Sequence, residues 1–119
     1  MKKYSSFGDF IRQKRRKREE PIYKIAAEIG ICTVYLSELE TGKKTNPNTD
    51  IMKKMVTALR LNADETAIFY DLHAKANDIV SQDLSGYIMG NAIVRETLRT
   101  ARDKLATADD WKEIIDKLK

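Results

Sequence analysis

Apolar residues recur at spacings of three and four along the whole chain, and no stretch alternates with the period of a strand. An all-α protein is therefore expected. Ser5 or Ser6 caps a first helix, along which Phe7, Phe10, Ile11, Lys14, Arg15 and Arg18 form a stripe that begins apolar and ends basic. Glu19-Glu20-Pro21 breaks it, because proline is tolerated only at a helix start. A second helix is expected from Ile22 to Ile29, with Ile22, Ile25, Ala26 and Ile29 inward and Gly30 as its left-handed stop. A third from Thr33 to Glu40 turns Leu36 and Leu39 inward and ends at Thr41-Gly42. Lys43-Lys44-Thr45-Asn46-Pro47 then reads as an exposed basic loop.

Asn48, Thr49 or Asp50 caps a fourth helix, whose inward set is Ile51, Met55, Ala58, Leu59 and Leu61. Asn62 or Asp64 opens a fifth that carries Ala67, Ile68, Tyr70, Leu72 and Ala76 inward. Residues 78–83 read as a connector, and Leu84, Tyr87, Ile88 and Met89 as a short helix ending near Gly90. Asn91 caps a longer helix with Ile93, Val94, Leu98, Ala101, Arg102 and Leu105, and Thr107 caps a last one with Trp111, Ile114, Ile115 and Leu118 on one face. The expected division is a domain over residues 1–76 and a helical extension over 77–119.

Composition changes this picture in three places. The net charge of +4 conceals an asymmetry: residues 1–60 hold 14 Lys/Arg against 7 Asp/Glu, whereas 61–119 hold 8 against 11. A basic half of that kind suits a polyanion. Cys32 is the only cysteine, which excludes an intramolecular disulfide and a multi-cysteine zinc site and makes a reducing, cytoplasmic setting the expectation. No run approaches the roughly 20 apolar residues of a membrane span, and no apolar stretch follows Lys2-Lys3 as a signal peptide requires.

Two short helices joined by a glycine turn, Ile22–Leu39, set an angle that lets the second enter a major groove while the first braces against the backbone. The stretch IAAEIGICTVYLSELETGKKTNP resembles the phage-repressor and Cro-like helix-turn-helix family, also called the XRE family. Ala26, Ile29 and Gly30 match the alanine, apolar position and glycine of that family's second helix. Leu39, Glu40 and Gly42 match the leucine, glutamate and glycine after its third, and Tyr35-Leu36-Ser37 is a common variant of its centre. The resemblance covers Phe7 to Leu61 and implies a five-helix repressor-like bundle, here with a C-terminal helical extension. It also implies a sequence-specific transcriptional regulator, a repressor that binds double-stranded DNA as a homodimer. Members pair an arginine late in the first helix with the glutamate after the recognition helix, positions held here by Arg15 and Glu40. Glu19-Glu20 departs from the pattern, standing where members carry a glycine and an apolar residue.

With Leu36 and Leu39 inward, the opposite face presents Thr33, Val34, Ser37 and Glu38 to base edges. Hydroxyls donate to bases or phosphates, Val34 suits a thymine methyl and Glu38 a cytosine amine. Lys24, Tyr35, Lys43, Lys44 and Asn46 are placed for phosphates, together with the N–H groups opening the second and fourth helices. His73, two residues from Asp71, reads as a surface histidine, and Cys32 as a small, partly buried residue. There is no glycine-rich phosphate loop, metal-spaced cluster or nucleophile constellation, so neither cofactor, metal nor enzyme activity is expected. The C-terminal helices either fold back on the same chain or dimerise, and dimerisation is the favoured expectation. The alternative function is a protein-interaction module of the same fold, such as an antitoxin or anti-repressor, acting on a protein partner through residues 78–119.

Overall fold

In the computed structural model, which describes residues 3–119, α1 (Phe7–Lys17) begins where the Ser6 hydroxyl accepts the Asp9 backbone N–H. Asp9 accepts the Ser5 N–H in return, which holds its carboxyl below the usual range. Glu19, at φ 55°, and the extended Pro21 separate α1 from α2 (Ile22–Ile29). The α2 helix ends at Gly30, whose φ of 86° is the left-handed conformation that glycine adopts without steric cost. Next come α3 (Thr33–Thr41), α4 (Thr49–Ala58), opened by the Asn48 side chain, and α5 (Ala63–Asn77). Asn62 and Glu65 open α5 reciprocally, each side chain accepting the other's backbone N–H. The chain continues with α6 (Gln82–Met89), α7 (Ala92–Asp103) and α8 (Ala108–Leu118), the last opened by Thr107 and Asp110 in the same reciprocal way.

All eight elements among the described residues are helices, so the all-α expectation holds while the total exceeds the five of the named bundle. None of these helices is long and apolar enough to cross a membrane. The short helix expected from Leu84 begins two residues earlier, at Gln82. Asn91 does not cap α7 with its side chain; its amide donates to the Tyr87 carbonyl instead. The chain forms two units, one ending at Asp83 and one spanning Leu84–Lys119.

The core of the first unit gathers Phe7, Phe10 and Ile11 of α1, Ile25, Ala26 and Ile29 of α2, Leu36 and Leu39 of α3, Met52 and Met55 of α4, and Phe69 of α5. The α1 helix lies against α3 and α5, and α2 against α3 and α4. Gly8 makes the first of these approaches possible: a Cβ there would stand 2.6 Å from the Leu39 carbonyl oxygen and closer still to that of Glu40. Lys14 is buried beside the Tyr4 and Phe10 rings, with its ammonium on the Glu65 carboxylate. Burial disfavours its charge, but Glu65 and Tyr4 outweigh that and hold Lys14 above the ordinary lysine value.

Two helix faces differ from the expected ones. On α4, Met52 is fully buried and Ile51 only half-buried. On α5, the buried set is Phe69, Tyr70, His73 and Ala74, while Ile68 and Ala76 are not buried and Leu72 is half-buried. This rotation reflects aromatic packing, since Phe69 meets both Phe7 and Phe10.

His73 is thus not a surface residue; it is fully buried with its ring edge toward Phe7. Its Nε2 lies 2.9 Å from Asn46 Oδ1, an acceptor, so Nε2 carries the proton, and Nδ1 has no hydrogen-bond partner among the described residues. Burial holds its pKa below the ordinary histidine value. The unfolded chain therefore takes up this proton first, and stability is full above about pH 6.5 and is lost as pH falls below it. Urea midpoints should decline between neutral pH and pH values near 5 in the native protein and stay flatter in His73→Leu. Equal slopes in the two proteins would assign the decline to other groups.

Candidate nucleic-acid interface

Helices α2 and α3 are joined by the short turn Gly30-Ile31-Cys32. The cap of α3 is a sulfur: Cys32 Sγ accepts the Tyr35 N–H at 3.4 Å, and the residue is exposed rather than partly buried. Leu36 and Leu39 are fully buried and Glu40 nearly so, which fixes the rotation of α3 about its axis. The outward face carries Thr33, Val34 and Ser37, all exposed, with Val34 67% accessible. Thr33 and Ser37 lie one turn apart on it. Glu38 is half-buried beside them, its carboxylate 3.6 Å from Lys43 Nζ. Tyr35 is half-buried and packs against the core.

Behind α3, the Arg15 guanidinium grips Glu40 with two bonds, Nε to Oε2 at 2.5 Å and Nη2 to Oε1 at 2.9 Å. The bond to Glu40 raises Arg15 above its usual value, against the opposing effect of burial. Arg12 adds a third cationic contact to Glu40 at 3.5 Å. Arg18 donates to Glu28 of α2 at 2.8 Å and to the Ala58 carbonyl of α4 at 3.0 Å, and it lowers the Glu28 pKa. These arginines tie α1 and its C-terminal cap to α2, α3 and α4. Lys24 is exposed at the start of α2, paired with Glu20 at 3.1 Å. Pro21 supplies no side-chain cap there, leaving the first turn of α2 without a competing acceptor from its own cap residue.

Beyond Gly42, Lys43 and Lys44 are exposed and the Lys44 N–H donates to the Glu38 carbonyl at 3.1 Å. The loop then meets the end of α5. Thr45 Oγ1 lies 3.0 Å from Asn77 Oδ1, and Asn77 Nδ2 donates to the Thr45 carbonyl at 2.7 Å. Asn46 pairs with His73, and the Pro47 side chain is fully buried. The side-chain oxygen of Asn46 is therefore already engaged within the protein. Sequence reasoning misses His73 and Asn77 as supports of this loop. Their four-residue spacing is visible, but their partners lie 27 and 32 residues away.

The fold and this surface can be set beside known proteins. An uncharacterized HTH-type transcriptional regulator of Mycobacterium tuberculosis is 28% identical over 102 residues, which cover 86% of this chain and 66% of that protein. The HTH-type transcriptional regulator SlrR of Bacillus subtilis is 34% identical over 58 residues, covering 49% of this chain and 38% of SlrR. A third relative, the uncharacterized HTH-type transcriptional regulator RghRB of the same species, is 32% identical over 57 residues, covering 48% of this chain and 41% of its own length. No family profile matches the chain, and no solved structure matches it. The chain thus spans no more than about two thirds of these relatives, and each of the three bears the name of an HTH-type transcriptional regulator.

Proposed function

We propose that this protein is a sequence-specific double-stranded-DNA-binding transcriptional regulator, a repressor of the phage-repressor and Cro-like type that inserts α3 into the major groove. The observation that carries this reading is the outward face of α3, with Thr33, Val34 and Ser37 exposed above a buried Leu36, Leu39 and Glu40. The names of the relatives support it. In this reading Thr33, Val34, Ser37 and Glu38 meet base edges, while Lys24, Tyr35, Lys43, Lys44 and Asn46 meet phosphates. Residues 1–76 form the DNA-binding domain and 77–119 the extension through which two copies associate. Arg99 on α7 and Asp109, Glu113 and Asp116 on α8 favour that association, since opposite charges let α7 of one copy lie against α8 of the other. The exposed apolar Ile93, Leu98, Ile114, Ile115 and Leu118 favour a second reading, a module that binds a different protein through this extension.

Mobility shifts against the DNA upstream of the protein's own gene separate these readings. The native protein should bind at low salt, and the double variant Ser37→Ala with Glu38→Ala should lose discrimination by about 1–3 kcal/mol per base recognised by these side chains. Lys43→Ala with Lys44→Ala should weaken all sequences alike and reduce the salt slope by about 1 for each phosphate no longer neutralised. Absence of binding at low salt rejects the regulator reading, and a shift unaffected by the Ser37/Glu38 pair restricts α3 to backbone contacts.

A further inference from the structure

We infer that His73 and Asn77 are positioning residues for DNA affinity, acting from the end of α5 to hold the Lys43–Pro47 loop where its two lysines reach phosphate; this rests on the DNA-binding reading above. The loop has no regular structure of its own, so something else must fix where Lys43 and Lys44 stand. At its start, the Lys44 N–H is tied to the last turn of α3 through the Glu38 carbonyl. At its end, Pro47 is sunk in the core. Between these points lie three side-chain bonds to α5. Asn77 uses both halves of its amide on Thr45, and His73 Nε2 donates to Asn46.

The two α5 residues are themselves organised for this. Asn77 Nδ2 also donates to the His73 carbonyl at 2.9 Å, which locks the amide in the orientation that presents Oδ1 to the Thr45 hydroxyl. His73 is fully buried, yet only Nε2 of its ring has a partner among the described residues, and that partner is the loop. A buried imidazole whose one hydrogen bond goes to a loop ties the position of that loop to the packing of the core. Lys43 and Lys44 follow the reading face of α3 directly, so an error of a few ångströms in the loop moves both ammonium groups relative to the phosphates.

The test uses a fluorescently labelled duplex of mixed sequence as probe, because phosphate contacts act on any duplex. Full-length native protein, Asn77→Ala, His73→Leu and His73→Gln are titrated across a series of salt concentrations, with folding checked by circular dichroism. Asn77→Ala and His73→Leu should bind about 3–10-fold more weakly, with a salt slope shallower by about 1–2. His73→Gln, which keeps a donor toward Asn46, should recover part of the affinity. Adding Asn77→Ala to Lys43→Ala and Lys44→Ala should cost nothing further, since the lysines it positions are gone. Should a variant be unfolded, Thr45→Val removes the hydroxyl partner of Asn77 from the loop side and should weaken binding in the same direction. Native salt slopes in folded Asn77→Ala and His73→Leu overturn the inference and leave these residues a purely structural role. If the native protein itself fails to bind the duplex at low salt, the DNA-binding reading falls first and takes the inference with it.

Discussion

Replacing Gly8 with alanine is expected to lower stability by about 3 kcal/mol or more, at the upper end of what a single added methyl causes in a packed interior. The methyl would fall 2.6 Å from the carbonyl oxygen of Leu39 and nearer still to that of Glu40. Both are backbone atoms of α3, so no rotamer change relieves the clash, and α1 must move away from α3 as a body. That movement pulls Arg15 from Glu40 and opens the apolar layer beneath, because Phe7, Phe10 and Ile11 are on the same helix. For a domain of this size the midpoint of thermal unfolding should fall by roughly 15 °C. Gly86, where no atom lies within 4 Å of an added Cβ, is the internal control, and Gly86→Ala should shift the midpoint little. A Gly8→Ala protein that melts with the native one would mean that α1 and α3 do not approach this closely.

The second large effect is expected at the Arg15–Glu40 pair. Only 4% of the Glu40 side chain and 16% of that of Arg15 are accessible, so each charge depends on the other rather than on water. Glu40→Ala strands Arg15 beside Arg12 with their shared carboxylate removed, and about 3 kcal/mol is the expected cost. Arg15→Met leaves Glu40 with only the longer Arg12 contact at 3.5 Å and should cost about 2 kcal/mol. The double variant Arg15→Met with Glu40→Leu removes both charges and puts apolar volume in their place. Its destabilisation should fall well below the sum of the two single effects, a non-additivity measurable by urea unfolding of all four proteins. Additive effects would show that the two side chains act independently and that the fork contributes nothing as a pair.

Much of the helical frame is legible in the sequence because its punctuation is local. Ser6, Pro21, Gly30, Gly42, Asn48, Asn62 and Thr107 each stop or start a helix through their own backbone or through an atom three residues away. Rotation about a helix axis is a different matter. The α5 sequence has small or apolar residues all around, including Ala67, Ile68, Phe69, Tyr70, Leu72, Ala74 and Ala76, so spacing alone selects no single face. Tertiary packing selects Phe69 and, with it, His73. A histidine is a poor candidate for full burial until its hydrogen-bond partner is known, and that partner is Asn46, 27 residues earlier. Gly8 is silent for a related reason: an absent Cβ has meaning only against the backbone of the helix that crosses it. At the candidate site, the outward residues of α3 follow from the inward leucines. What Glu38 and Asn46 touch does not, because Lys43 and His73 reach them only once the chain has turned, whereas the Lys24–Glu20 pair is local, four residues apart.

The basic side of α1 has a consequence for how the chain comes to be built. Lys14, Arg15 and Arg18 find their carboxylates at Glu65, Glu40 and Glu28, on three separate later helices. A growing chain emerges N-terminus first, so this helix is made before any of its counterions exist. It acquires them in reverse order along its length, Arg18 first, then Arg15, and Lys14 only when α5 has been synthesised. Within the first unit α1 is therefore ion-paired along its length only once α5 has been made, and a nascent chain halted before Glu65 leaves Lys14 without the anion that receives it.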